Sequence, residues 1–132
     1  MKRITKFFEK CPCLAGRKIR EDFLGPESGS VAIAHGGGNP TVKTYASGDC
    51  LEQVSYKFML REFFLGEAGA LFEKLSQWIE EGKEPLPDPG EGKKAQYIEI
   101  TEGPVLVKTE VGAGVYEMKF RLVYYRKGVG NE

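Results

Sequence analysis

The sequence is poor in the groups that most chemistry needs. Its 132 residues hold one His, three Cys and one Trp, and its 19 Lys+Arg are cancelled by 19 Asp+Glu. Without an excess of cations there is no electrostatic footprint for a phosphate backbone, so a nucleic-acid binder is not expected. No apolar run approaches the ~20 residues of a membrane-spanning helix. The start, Met1-Lys2-Arg3-Ile4-Thr5-Lys6, leads into Phe7-Phe8-Glu9-Lys10 without the apolar core of a secretory signal. A soluble, intracellular protein with reduced thiols is expected.

What is present describes a globular domain. Hydrophobic residues make up 41% and charged residues 29%, too balanced for a disordered chain. A chain of 14.7 kDa buries roughly two-thirds of its surface on folding, enough for one core and not two, so residues 1–132 are expected to form a single domain.

The elements are written in the periodicity. Ile4, Phe7, Phe8 and Cys11 recur at helical spacing, which predicts a short helix over residues 2–11, closed by Pro12. Short strands are expected over 18–24, 30–34 and 42–45. Between 51 and 64, Val54, Tyr56, Phe58 and Leu60 alternate with Gln53, Ser55, Lys57, Met59 and Arg61, the mark of a central strand with one buried face. The period then changes. Ala68, Leu71, Phe72, Leu75, Trp78 and Ile79 form one helical stripe, with Gly82 as its C-cap.

Residues 83–94 hold three prolines and read as an extended surface connection. Two strands, 95–101 and 104–111, are predicted to meet in a hairpin at Glu102-Gly103. A last strand carries Tyr116, Met118, Phe120, Leu122 and Tyr124 on one face and Glu117, Lys119 and Arg121 on the other. The expected fold is α+β: a largely antiparallel or mixed β-sheet, one long amphipathic helix on its apolar face and a short N-terminal helix.

Catalytic constellations are scarce. His35-Gly36-Gly37-Gly38 matches the stretch that shapes some esterase oxyanion holes, but no Gly-x-Ser-x-Gly turn accompanies it and no second His remains as base, so a flexible loop is expected. Cys11-Pro12-Cys13 is closer than the usual metal-ligand spacing, and Cys50 and His35 are scattered from it; Cys11 reads as a small core residue. The carboxylates Glu80, Glu81, Glu84, Asp88 and Glu91 fall on a solvated helix face or in the proline-rich connection, without the fixed geometry of an acid–base pair. The reading is therefore no enzyme and no catalytic, cofactor-binding or metal residue. A small hydrolase using His35 is the alternative from a different class. The aromatics Tyr45, Tyr56, Phe63, Phe64, Tyr97, Tyr124 and Tyr125 exceed what one apolar face hides. One member each of Phe63-Phe64 and Tyr124-Tyr125 is expected to meet solvent or a partner.

Six stretches carry a resemblance. They are Phe8-Glu9-Lys10-Cys11-Pro12, Asp22-Phe23-Leu24-Gly25, Asn39-Pro40-Thr41-Val42-Lys43-Thr44-Tyr45, Leu60-Arg61-Glu62-Phe63-Phe64, Gln77-Trp78-Ile79-Glu80-Glu81 and Arg121-Leu122-Val123-Tyr124-Tyr125. In order and spacing they resemble small structural proteins of tailed phages and prophages of Gram-positive bacteria, described as minor capsid, tail terminator or head–tail joining proteins. The chain departs from them in Ser28 to Gly38, which is glycine-rich here. The resemblance implies a virion neck component, assembled in the host cytoplasm, that closes into a homo-hexameric ring on the tail tube protein. It would face the head–tail connector proteins, and the sheath if the tail is contractile. A head-side stopper or adaptor on the portal is the alternative. Gly36 to Asp49 and Lys83 to Lys94 are the expected contact segments.

Overall fold

The apolar stripe at the N-terminus forms helix α1, Lys2–Glu9, with Ile4, Phe7 and Phe8 buried. It stops two residues earlier than the periodicity predicts. A proline disfavours helical backbone at the residue before it, and Cys11 is extended at φ −69°, ψ 123°. Pro12 then opens a one-turn 3-10 helix, Pro12–Leu14, at a position where its missing N–H is not needed. The computed structural model describes residues 2–37, 40–62, 65–82, 84–110 and 112–128. Expectations for Gly38, Asn39, Phe63, Phe64, Lys83 and Val111 lie outside the described residues.

Six strands among the described residues make one sheet: β1 (Ile19–Glu21), β2 (Val31–His35), β3 (Thr41–Thr44), β4 (Cys50–Glu62), β5 (Lys93–Glu110) and β6 (Ala113–Arg126). The order is β1-β2-β4-β6-β5, and β3 joins β2 on the same side of β4. The β1–β2 pair is parallel and the others antiparallel, so the sheet is mixed and the fold is α+β. Its spine is the β4–β6 pair, which runs without a register shift from Cys50 opposite Arg126 to Glu62 opposite Gly114.

Helix α2, Leu65–Glu81, lies across one face and ends at Gly82, whose φ of +63° suits a residue without a Cβ. Ala68, Leu71, Phe72 and Leu75 are buried, and Trp78 and Ile79 pack against them. Phe72 meets Phe58 of β4 at 6.1 Å, while Phe8 of α1 meets Phe58 at 6.0 Å and Phe120 of β6 at 5.1 Å. Both helices therefore close the same face, and each buried large side chain contributes about 1.5–3 kcal/mol.

Three expectations are corrected. The predicted hairpin at Glu102-Gly103 does not form, and residues 93–110 are one strand. Four one-residue register shifts fit its 18 residues to the 14 of β6, absorbing Glu102-Gly103-Pro104 as bulges rather than as a turn. Pro104 is tolerated because β5 is an edge strand, where a missing N–H breaks no ladder on the open side. The far face of the sheet is not uniformly polar either: Ala32, Met59, Val115 and Val123 are buried on it. The proline-rich connection is held down, not loose. Leu86 packs against the core, Arg3 Nη1 donates to the Asp88 carbonyl at 2.9 Å, and the Asp88 carboxylate accepts the Ala95 amide at 2.8 Å.

Candidate interaction surface

The apolar residues left outside the core are not spread evenly. Among the described residues the exposed large hydrophobics fall into two groups. Tyr97, Val105, Leu106 and Val107 all belong to β5, the strand that ends the sheet on one side. Val42 in β3, Tyr45 directly after it and Phe23, two residues past the end of β1, lie on the other side. The two lateral edges of one sheet thus each carry apolar surface, and the surfaces are different.

The β5 edge owes its exposure to topology. From Thr101 to Thr109 every residue is exposed, because β6 covers only one flank and neither helix reaches this stretch far enough to bury a side chain. Leu106 is 49% and Val107 46% exposed. The neighbouring rows are tied by ion pairs: Lys119 to Glu102 at 3.3 Å and Arg121 to Glu99 at 3.0 Å. Bulges, a proline and these charges blunt the edge against unlimited strand addition while leaving the Val105-Leu106-Val107 strip free for a shaped partner.

The opposite side is built around the turn from β3 to β4. The Tyr45 amide donates to the Asp49 carbonyl at 2.8 Å and the Gly48 amide to the Tyr45 carbonyl at 2.9 Å, which closes the turn. The Tyr125 hydroxyl and the Gly128 amide both donate to the Asp49 carboxylate. Those donors hold the Asp49 carboxyl below its ordinary range, the tyrosine first. Tyr45 lies 6.4 Å from Tyr125, with the Lys43 ammonium 5.1 Å over its ring. Arg126 donates to Glu52 at 3.0 Å and holds that carboxyl low in the same way. Tyr124, turned to the core, has its hydroxyl pushed up to about 12 by burial and then by Glu52. The adjacent Tyr124 and Tyr125 thus project to opposite faces, as the alternation predicts. Tyr97 meets solvent on the other edge, with the Arg121 guanidinium 6.0 Å over its ring.

The residues that could have carried chemistry are dispersed. His35 ends β2, with its ring stacked on Tyr56 at 5.3 Å, and Tyr56 in turn on Phe120 at 5.3 Å. Together with Ser55, Lys57, Lys119 and Arg121 it borders an open concavity of about 500 Å³. Cys50 opens β4 and donates weakly to Thr44 Oγ1 at 3.8 Å, on a different element from Cys11 and Cys13. Among the described residues no group of three or more His, Cys, Asp or Glu side chains is arranged to hold a metal ion. Glu80, Glu81 and Glu91 are exposed, and Glu84 faces Lys10 at 3.8 Å.

The Val105-Leu106-Val107 strip was missed in the sequence, where it reads as an ordinary strand. Only the knowledge that β5 ends the sheet turns it into surface. No family model matches the chain, and comparison with curated proteins gives no significant match.

Proposed function

We propose that the chain is a non-catalytic structural subunit that closes into a ring through its two sheet edges, as a neck component of a tailed phage. The ring would cap the tail tube and face the head connector, and its six-fold form would match the usual symmetry of such tubes. The observation that carries this reading is the pair of unlike apolar edges, Val105-Leu106-Val107 on β5 and Val42 with Tyr45 beside β3. A two-fold dimer uses one patch against its own copy. A ring needs a front and a back that differ, joined by a rotation that closes. Val42 and Tyr45, within the expected contact segment 36–49, supply part of the back edge, and zero net charge allows copies to stack without collective repulsion. The six-segment sequence resemblance supplies the virion context.

Electron microscopy of purified particles with antibody-labelled or tagged subunits tests the assignment. The reading expects density for a ring of this chain between tail tube and head, and overlong tubes in particles from a deletion strain. Its absence from the neck, or a position at the baseplate alone, overturns the reading. Normal tails detached from leaking heads would instead support the portal-side stopper.

A further inference from the structure

Cys11 and Cys13 stand on either side of Pro12 with their sulfur atoms 2.9 Å apart. The proline makes the approach. It keeps Cys11 extended and starts the 3-10 turn at once, so the two side chains fold toward the same side. Cys11 is 1% exposed, while Cys13 is half-buried and reachable. They border a concavity of about 350 Å³ against α2, whose other walls include Lys74, Gln77, Trp78 and Glu81. The two sheet edges proposed as ring contacts do not include this corner.

Distances decide what such a pair can do. A tetrahedral zinc with two Zn–S bonds of ~2.3 Å needs its sulfurs ~3.7 Å apart and two further donors. Here the sulfurs are too close, and no third His, Cys, Asp or Glu completes a set among the described residues. A disulfide needs ~2.05 Å, reached by closing the gap by less than ~1 Å. We propose that Cys11 and Cys13 form a reversible dithiol–disulfide site that reacts with small-molecule disulfides of the glutathione class.

Exposure assigns the roles. Cys13, as thiolate, attacks one sulfur of the small disulfide, forming a mixed disulfide and releasing one thiolate. Cys11, already beside it, gives up its proton to solvent and attacks the Cys13 sulfur. The second thiolate leaves as the Cys11–Cys13 bond forms. The two cysteines lose two electrons and two protons in total, and the small disulfide becomes two thiols. Because the bond closes within one turn against Trp78, the only tryptophan, its formation changes the surroundings of that indole.

The full chain is incubated with oxidised glutathione at pH 9, where more of the raised Cys13 thiol is ionised than at neutral pH, then thiols are counted under denaturing conditions and the intact mass and peptides are analysed. Two of the three free thiols should disappear, with the chain lighter by two hydrogen atoms, Cys11 linked to Cys13, and a shift in Trp78 emission reversed by a reductant. Cys11→Ala, lacking the resolving thiol, should keep one glutathionyl group on Cys13. Retention of all three thiols, a wild-type chain that stops at the mixed disulfide, or linkage to Cys50 or to another copy would each overturn the proposal. Should Cys11→Ala fail to fold, the wild-type mass and peptide map decide alone.

Discussion

The ring of Phe8, from the first helix, meets the ring of Phe120, from the last strand, edge-on with centroids 5.1 Å apart, and both side chains are fully buried. This contact joins the first helix and the last strand in one core, with Trp78 6.0 Å from Phe8. Truncation to Phe8→Ala should cost about 3–5 kcal/mol, and Phe120→Asp, which also buries a charge, should prevent folding. Urea unfolding followed by Trp78 fluorescence measures the first. A loss below about 1 kcal/mol would mean that α1 is not part of the cooperative core.

The elements that the sequence revealed are those whose period is local and whose partner is regular. Val54, Tyr56, Phe58 and Leu60 announce β4, and the stripe from Ala68 to Ile79 announces α2, because the core-facing side chains of each keep one period along the element. Strand β5 was misread for a physical reason. Glu102-Gly103-Pro104 has turn chemistry, but β6 passes beside it without turning, and bulges cost less than giving up the ladder on both sides. The parallel β1–β2 pairing left no trace in composition, since pairing partners are set by topology. The proximity of the two thiols is not read from the sequence, where Cys11-Pro12-Cys13 is weighed as a metal-ligand spacing; it rests on the extended Cys11 and the turn that Pro12 starts, and their shared wall on Trp78 depends on where α2 docks.

Stability should fall at both ends of the pH scale, and the sign differs at each. Arg126 holds the Glu52 carboxyl below its ordinary value, and Tyr125 does the same for Asp49, so the folded state binds these protons more weakly than the unfolded chain does. Their stabilisation is present above the ordinary carboxylate range and is lost as the pH falls through their lowered values. Tyr124 works in reverse. Its pKa is pushed up to about 12, so its contribution is complete below about 10, the ordinary tyrosine value, and is lost as the pH rises toward 12. Urea midpoints measured across pH should therefore decline on both flanks. Glu52→Gln should flatten the acid flank while leaving the alkaline decline, because burial is the main cause of the Tyr124 shift. An unchanged acid flank would show that the Arg126–Glu52 pair carries no linkage.

Cys13 should be a slow nucleophile at neutral pH. Burial first and the Cys11 thiol second raise its pKa to about 12, and Arg17 opposes the rise only weakly. The charged groups on the facing wall, Lys74 and Glu81, are of opposite sign. Its rate of alkylation by iodoacetamide, followed by peptide mass analysis, should climb about tenfold per pH unit between pH 7 and 9, as the thiolate fraction does. Cys11→Ala should raise the rate at any one pH in this range by removing the neighbour's contribution. A rate that bends over by pH 9 would place the thiol among ordinary exposed cysteines.

Two substitutions on opposite sheet edges separate a ring from a two-fold dimer. Val42→Lys and Leu106→Lys each place a charge at a side chain that is nearly half exposed, so each protomer should keep its stability within about 0.5 kcal/mol. Each alone should abolish higher assembly, because every subunit of a ring needs both edges. Mixed together they should not be inert. A Val42→Lys copy still offers an intact β5 edge and a Leu106→Lys copy an intact β3 edge, so one productive contact forms and the mixture stops at the heterodimer. Sedimentation velocity distinguishes the cases. If the contact were two-fold on the β5 edge, Val42→Lys would assemble as wild type and mixing would add nothing. A heterodimer found only in the mixture requires a front edge that recognises a different back edge.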